Sequence, residues 1–309
     1  MTYRDGNGDE HVGLVVGGSI HGVQVEGGLI SLLGDDGTAM AEAEARARNE
    51  PTETIPFAGA DLAAPLRPVQ VRDFLTFLDH LRNSLSAAEL TMAPEFDEIP
   101  AFYFSNTSSV LGPHDEVLIS PGCEQFDFEL EVAAIIGRPG SDIAPEDAHH
   151  HIAGYTIFCD WSARDVATKE LRLGLGPAKG KDGGNTFGPM LVTADELEPF
   201  RSGNSFHLEM RAFVNGELTG SGWMDQMDWS WADLVAYASR GTNLRAGEAL
   251  GSGTVPTGCL FELMATGGPE SFRGWLQPGD VVRLEIDQLG AIEQTVGAAR
   301  PFHPLRTGF

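Results

Sequence analysis

The sequence predicts a mixed, β-rich α+β fold in which a small N-terminal β module precedes a larger domain. Three observations carry this. The 309 residues include 38 glycines and 18 prolines, turn residues that favour many short strands over a helical bundle. Apolar runs are short, and that from Phe126 to Val132 alternates with period two. A proline-rich interval, Pro51 to Pro68, separates the first short strands from the rest and reads as a linker, dividing a module over 1–67 from a domain over 68–309.

Taken in order, residues 1–10 are polar and read as frayed. His11 to Leu33 gives short apolar runs broken by glycine, the pattern of small strands with tight turns. Met40 to Asn49 is a short helix former. Val71, Phe74, Phe77, Leu78 and Leu81 have helical spacing, which puts Asp73 and His80 on one face about 10 Å apart if the helix is continuous. A surface Asp and a core His fit the same spacing. Pro100 to Val110 reads as a strand running into a polar turn, with Tyr103 on it.

In the alternating stretch, Phe126, Phe128, Leu130 and Val132 share one face, and Asp127, Glu129 and Glu131 the other. Glu129 and Glu131 then lie about 6–7 Å apart and point the same way. Two such carboxylates repel unless a cation sits between them, and a divalent ion with oxygen ligands is the natural occupant; a solvated strand face is the plainer account. Gly154 to Cys159 reads as a buried strand, and Asp160 at its end offers a third carboxylate. His149, His150 and His151 follow a helix start at Pro145, where adjacent side chains diverge too far to share an ion.

Leu173 to Pro189 is glycine-rich, holds Lys179, Lys181 and Asp182, and reads as a surface loop or a lid. It contains no phosphate-binding glycine motif, so no nucleotide is expected. Phe206 to Val214, Asn215-Gly216 and Glu217 to Ser221 form a hairpin, and Trp231 to Ala238 a short helix. A second glycine-rich turn, Gly251 to Gly258, precedes an apolar segment whose sole charge, Glu262, needs a partner. Val281 to Ile286 and a last segment after Gly290 are strands.

The 42% hydrophobic fraction supplies a core. The net charge of −25, from 45 acidic and 20 basic residues, disfavours nucleic acid and anionic membranes as partners. Cys123, Cys159 and Cys259 are scattered, without metal-type spacing, which fits a reduced, cytoplasmic setting. Neither a signal peptide nor a membrane span is expected.

From about Val69 onward these motifs resemble the fumarylacetoacetate hydrolase family. The specific pieces are Phe128-Glu129-Leu130-Glu131, Gly154 to Asp165, Lys179-Gly180-Lys181-Asp182, Gly251-Ser252-Gly253-Thr254 and Gly279-Asp280-Val281-Val282. The resemblance implies a rolled mixed β-sheet domain and a homodimer. It implies that Glu129, Glu131 and Asp160, with Asp73 as a fourth ligand, hold Mg²⁺, Mn²⁺ or Ca²⁺. It pairs a catalytic His80 with Glu262, placed on a strand after the Gly-Thr turn, and puts Lys181, Tyr103, Arg164 and Thr254 where substrate oxygens bind.

The chemistry so implied is hydrolytic cleavage of a C–C bond in a β-diketone or acylpyruvate, a small dioxo acid, with His80 as general base. Decarboxylation, hydration or tautomerisation of a 2-oxo acid on the same scaffold is the alternative. A non-catalytic metal- or metabolite-binding protein is a second. Leu75, Ala167 and Leu171 stand where relatives have polar contacts, which implies an apolar distal end to the substrate.

Overall fold

The computed structural model describes residues 1–86, 91–268 and 272–305. At its centre is a seven-stranded mixed sheet. Its order is Phe102–Ser105, Val71–Phe74, Ala249–Gly251, Leu130–Ile136, Ile152–Asp160, Asn185–Thr193 and Val110–Leu111. Val71–Phe74 runs parallel to Ala249–Gly251, and Asn185–Thr193 parallel to Val110–Leu111. The other pairings are antiparallel.

Both faces of this sheet are covered, which is why its inner strands read as nearly continuous apolar runs. Val132, Ala134, Ile136, Tyr155 and Ile157 pack with Met210, Ala212, Leu284, Ile286 and Ile292 of a second, five-stranded sheet. That sheet runs Glu217–Trp223, Glu209–Val214, Val281–Ile286, Gly290–Gly297, Val117–Leu118. Ala133, Ile135, Phe158 and Phe187 face the other way, onto Val12, Val23 and Leu66 and onto Ala43 and Ala47 of the helix Thr38–Asn49. The curled mixed sheets with a smaller N-terminal sheet are the rolled, β-rich α+β architecture that the sequence predicts.

The N-terminal sheet has five antiparallel strands in the order Thr54–Pro56, Ser19–Val23, Glu10–Val16, Thr2–Arg4, Leu62–Ala63. Two expectations fail here. The first residues are not frayed, since Thr2–Arg4 lies between two partner strands and Tyr3 is buried with its hydroxyl donating to Glu53 (2.7 Å). Nor is Pro51 to Pro68 a linker, because it supplies two strands of the sheet and the buried Ala64 and Leu66.

The hairpin at Asn215-Gly216 forms with positive φ at both turn residues (55° and 81°), and a helix spans Trp231–Ser239. The continuous helix over Val71 to Leu81 does not form. Val71–Phe74 is a strand, buried at all four residues between two neighbours, and the helix begins only at Leu78, running Leu78–Ser86. Asp228 accepts the Leu78 N–H at 2.8 Å and caps that start. Asp73 and His80 therefore sit on different elements. The alternating stretch also divides, into Phe126–Asp127 and Leu130–Ile136, and both of its faces are buried. Leu173 to Pro189 divides likewise, because Asn185–Thr193 belongs to the central sheet.

Candidate active site

Four carboxylates converge at one end of the central sheet. Glu129 and Glu131 come from the break and start of the strand Leu130–Ile136, Asp73 from Val71–Phe74, and Asp160 from the end of Ile152–Asp160. All four are buried. Carboxylate oxygens of Asp73, Glu129 and Glu131 lie within 4.8 Å of one another. Asp160 joins them through Tyr103, whose hydroxyl contacts Asp73 Oδ2 (2.6 Å) and Asp160 Oδ2. The phenol has a single proton for these two contacts.

Two glycines make the convergence possible. A Cβ at Gly251 would stand 2.5 Å from Asp73 Oδ1. Gly253 has φ of +80°, and a Cβ there would meet the Phe74 carbonyl at 2.3 Å. Its N–H donates to Glu131 Oε2 (2.9 Å), and the Thr254 hydroxyl to Oε1 (3.2 Å).

Lys181 and Arg164 are the cations of the cluster. Lys181, on the short turn Lys179–Lys181, contacts Glu129 and donates to Asp160 at 2.8 Å. Glu170 shapes that turn by accepting the N–H groups of Ala178, Lys179 and Gly180 (2.9, 2.6 and 3.0 Å). Arg164 reaches Glu129 Oε1 at 2.8 Å and Asp127 Oδ2 at 2.7 Å.

Negative charge remains in excess. Burial, and then the charge of Asp160, push the Asp73 carboxyl up to about 8. Burial, Asp73 and Glu129 push Glu131 well above the usual carboxylate range. Asp160 is raised too, by burial against the opposing pull of Lys181. Glu129 goes the other way: burial alone would raise it, but Lys181 and Arg164 beside it hold it at about 2. Asp73 Oδ1 and Asp160 Oδ1 are buried and accept no hydrogen bond. All-oxygen donors, surplus negative charge and two unused acceptors fit a hard divalent cation.

A second cluster adjoins the first. His80 Nδ1 lies 2.6 Å from Glu262 Oε2, which also accepts the Thr257 N–H (2.8 Å); Asn83 donates to Oε1 (2.7 Å). Glu262 is not on a strand, as the resemblance implies, but in the first turn of the helix Leu260–Gly267. Cys259 Sγ accepts the Glu262 N–H, so the segment after the glycine-rich turn is capped into a helix. His80, Cys259 and Glu262 also place potential ligand atoms within 4.8 Å, but burial pushes the Cys259 thiol up and both Glu262 oxygens are engaged. The oxygen cluster is the better cation site.

The structure thus gathers all ten expected site residues, although Tyr103, Arg164 and Thr254 bond the carboxylates around them. Asn83, Asp127 and Glu170 escaped the sequence reading, because their partners are far along the chain or are backbone amides. Of the three residues of the expected apolar wall, Leu75 is half-buried beside Gly253, its Cα 3.2 Å from where a Cβ there would stand; Ala167 is buried against Gly180; and Leu171 is 60% exposed.

Fold and site together define a buried, carboxylate-lined candidate cation site beside a His–Glu pair. The chain belongs to the fumarylacetoacetate hydrolase family, whose C-terminal family model matches residues 70–297. It is 32% identical over 296 residues to a human mitochondrial oxaloacetate tautomerase, covering 91% of this chain and 86% of that protein. It is 36% identical over 197 residues to a mitochondrial oxaloacetate tautomerase of Xenopus laevis, covering 64% of this chain but only 58% of the frog protein. The solved structure of a fumarylacetoacetate hydrolase from Exiguobacterium antarcticum superposes with a TM-score of 0.69 at 26% identity, over 97% of this chain and 98% of that one.

These relatives correct one expectation. The cytoplasmic setting read from three scattered cysteines does not stand, since the human and frog relatives just described are mitochondrial proteins. No described helix is long and apolar enough to cross a membrane.

Proposed function

We propose that this chain interconverts the enol and keto forms of a short 2-oxo dicarboxylic acid of the oxaloacetate type, with Mg²⁺ or Mn²⁺ as cofactor. The carrying observation is the similarity to oxaloacetate tautomerase over 91% of the chain. Leu171, 60% exposed, leaves room for a second charged end on the substrate.

The two tautomers differ by one proton, on C3 in the keto form and on the 2-oxygen in the enol. A divalent ion held by Asp73, Glu129, Glu131 and Asp160 would supply Lewis-acid stabilisation of negative charge on that oxygen. Lys181 adds a positive charge at the same place. His80, with Nδ1 tied to Glu262, presents Nε2 as the base that takes the proton from C3 and delivers it to the 2-oxygen in the keto-to-enol direction, and carries it from that oxygen to C3 in the reverse. Asn83 and the Thr257 N–H hold Glu262 so that it fixes the ring and its tautomer. Burial of His80 and Glu262 limits exchange of that proton with solvent.

C–C bond hydrolysis is the second reading, favoured by the likeness to the Exiguobacterium hydrolase and by the same His–Glu pair, which would instead activate water. Decay of enol-oxaloacetate absorbance, compared with loss of acetylpyruvate absorbance, separates the two. Each is followed with Mn²⁺, with EDTA, and without enzyme. The tautomerase reading expects EDTA-sensitive enol decay and little cleavage. Faster acetylpyruvate cleavage would replace it with the hydrolase reading. A homodimer, expected from the family resemblance, is checked by light scattering.

A further inference from the structure

Asp127 is completely buried, two residues before Glu129, and neither the cation site nor the His80–Glu262 pair includes it. Its environment is all donors. Oδ1 accepts the N–H groups of Phe128 (2.8 Å) and Leu260 (2.9 Å). Oδ2 accepts the Phe261 N–H (3.0 Å) and Arg164 Nε (2.9 Å), with a second Arg164 nitrogen at 2.7 Å. Leu260 and Phe261 open the helix whose third residue is Glu262. Arg164 spends its remaining arm on Glu129 Oε1 (2.8 Å) and lies over the Phe261 ring, 5.3 Å from its centre.

We infer that Asp127 is a positioning residue that joins the two halves of the site, setting Glu129 through Arg164 and Glu262 through the helix start. One carboxylate thereby fixes the cation ligands and the proton-transfer pair relative to each other. The requirement for a carboxylate is strict, because an amide of the same shape must turn its NH₂ toward one of two pairs of donors. Arg164, deprived of its partner, would then draw on Glu129 alone and compete with the cation for it. The kinetic part of this inference rests on the tautomerase reading; the ion-binding part does not.

The test is calorimetric titration of Mn²⁺ alone into chelator-stripped full-length protein, together with kcat on oxaloacetate at saturating Mn²⁺. Asp127→Asn is expected to weaken Mn²⁺ binding by about 10–100-fold, the usual effect of losing a partner that orients a ligand. It should lower kcat as well, and that loss should shrink in a Glu262→Gln background, because both changes act on the same pair. Unchanged Mn²⁺ affinity, or kcat losses that multiply in full, would overturn the joint. If Asp127→Asn does not fold, Arg164→Lys keeps the charge but breaks the fork to Asp127 and Glu129, and unchanged Mn²⁺ affinity in that variant would overturn the joint. If the unaltered protein turns over no oxaloacetate, the tautomerase reading fails and the Mn²⁺ titration alone judges Asp127.

Discussion

His80 and Glu262 lie 182 positions apart in the chain and 2.6 Å apart in the fold, with the imidazole 9% exposed and the carboxylate fully buried. A base so enclosed is set by its partner. Under the proposed function, His80→Ala lowers kcat by about 10²-fold or more, the low end of general-base contributions, and leaves Mn²⁺ affinity nearly unchanged. Lost Mn²⁺ binding in that variant would make His80 a ligand instead.

Asn83→Ala removes one of three donors from Glu262. A hydrogen bond to a charged group contributes about 1.5–3 kcal/mol, so kcat is expected to fall about tenfold or more, with KM little changed. Steady-state kinetics on oxaloacetate checks this, and a rise in KM alone would place Asn83 on the substrate rather than on Glu262.

Cation binding should release protons. Burial and Asp160 raise Asp73 to about 8, and Glu131 is raised as well, so the metal-free site is protonated near neutral pH. These carboxyls take up more protons in the folded than in the unfolded chain. Their contribution to stability is therefore full below the unfolded carboxylate range, about 4, and is lost as pH rises towards 8. A bound cation removes that loss by favouring the ionised forms. The gain in Tm on adding Mn²⁺ should thus grow from pH 5 to pH 8. Titrations in buffers of different ionisation enthalpy should show proton release; a pH-independent gain with none would rule the linkage out.

The Arg72–Glu248 pair is a stability element away from the chemistry. Both side chains are buried, and Arg72 also lies over the Phe102 and Phe104 rings, 5.9 and 5.4 Å from their centres. Glu248→Gln leaves the guanidinium without its counter-charge and should destabilise by about 3–5 kcal/mol in urea unfolding. Arg72→Met combined with Glu248→Leu should recover most of that. A loss below 1 kcal/mol for the single change would mean that the aromatic rings alone support Arg72.

What could be read from the sequence follows the range of the interactions. Glu129 and Glu131 were legible because period two is local, and Asp160 because a buried run ends on it. Val71-x-x-Phe74 satisfies a helical spacing as well as a short buried strand. What decides for the strand is Ala249–Gly251, far along the chain, so the local pattern alone puts Asp73 on the wrong element. Glu262 was expected on a strand because its helix is capped by Cys259 and by Asp127, the latter 133 positions away. Asp127 itself carries no signal, because most of its partners are backbone amides that every residue possesses.

The parallel pairing of Val71–Phe74 with Ala249–Gly251 also orders events during synthesis. Asp73 leaves the ribosome early, but the glycine that makes room for it, and the Gly253 and Thr254 groups that hold Glu131, emerge only near the end. Until then the central sheet lacks an inner strand and its neighbours keep open edges, the kind of surface that chaperones bind and proteases cut. Cation capture at this candidate site would consequently wait until residue 254 has emerged, and a chain released before that point would lack the groups that hold Glu131.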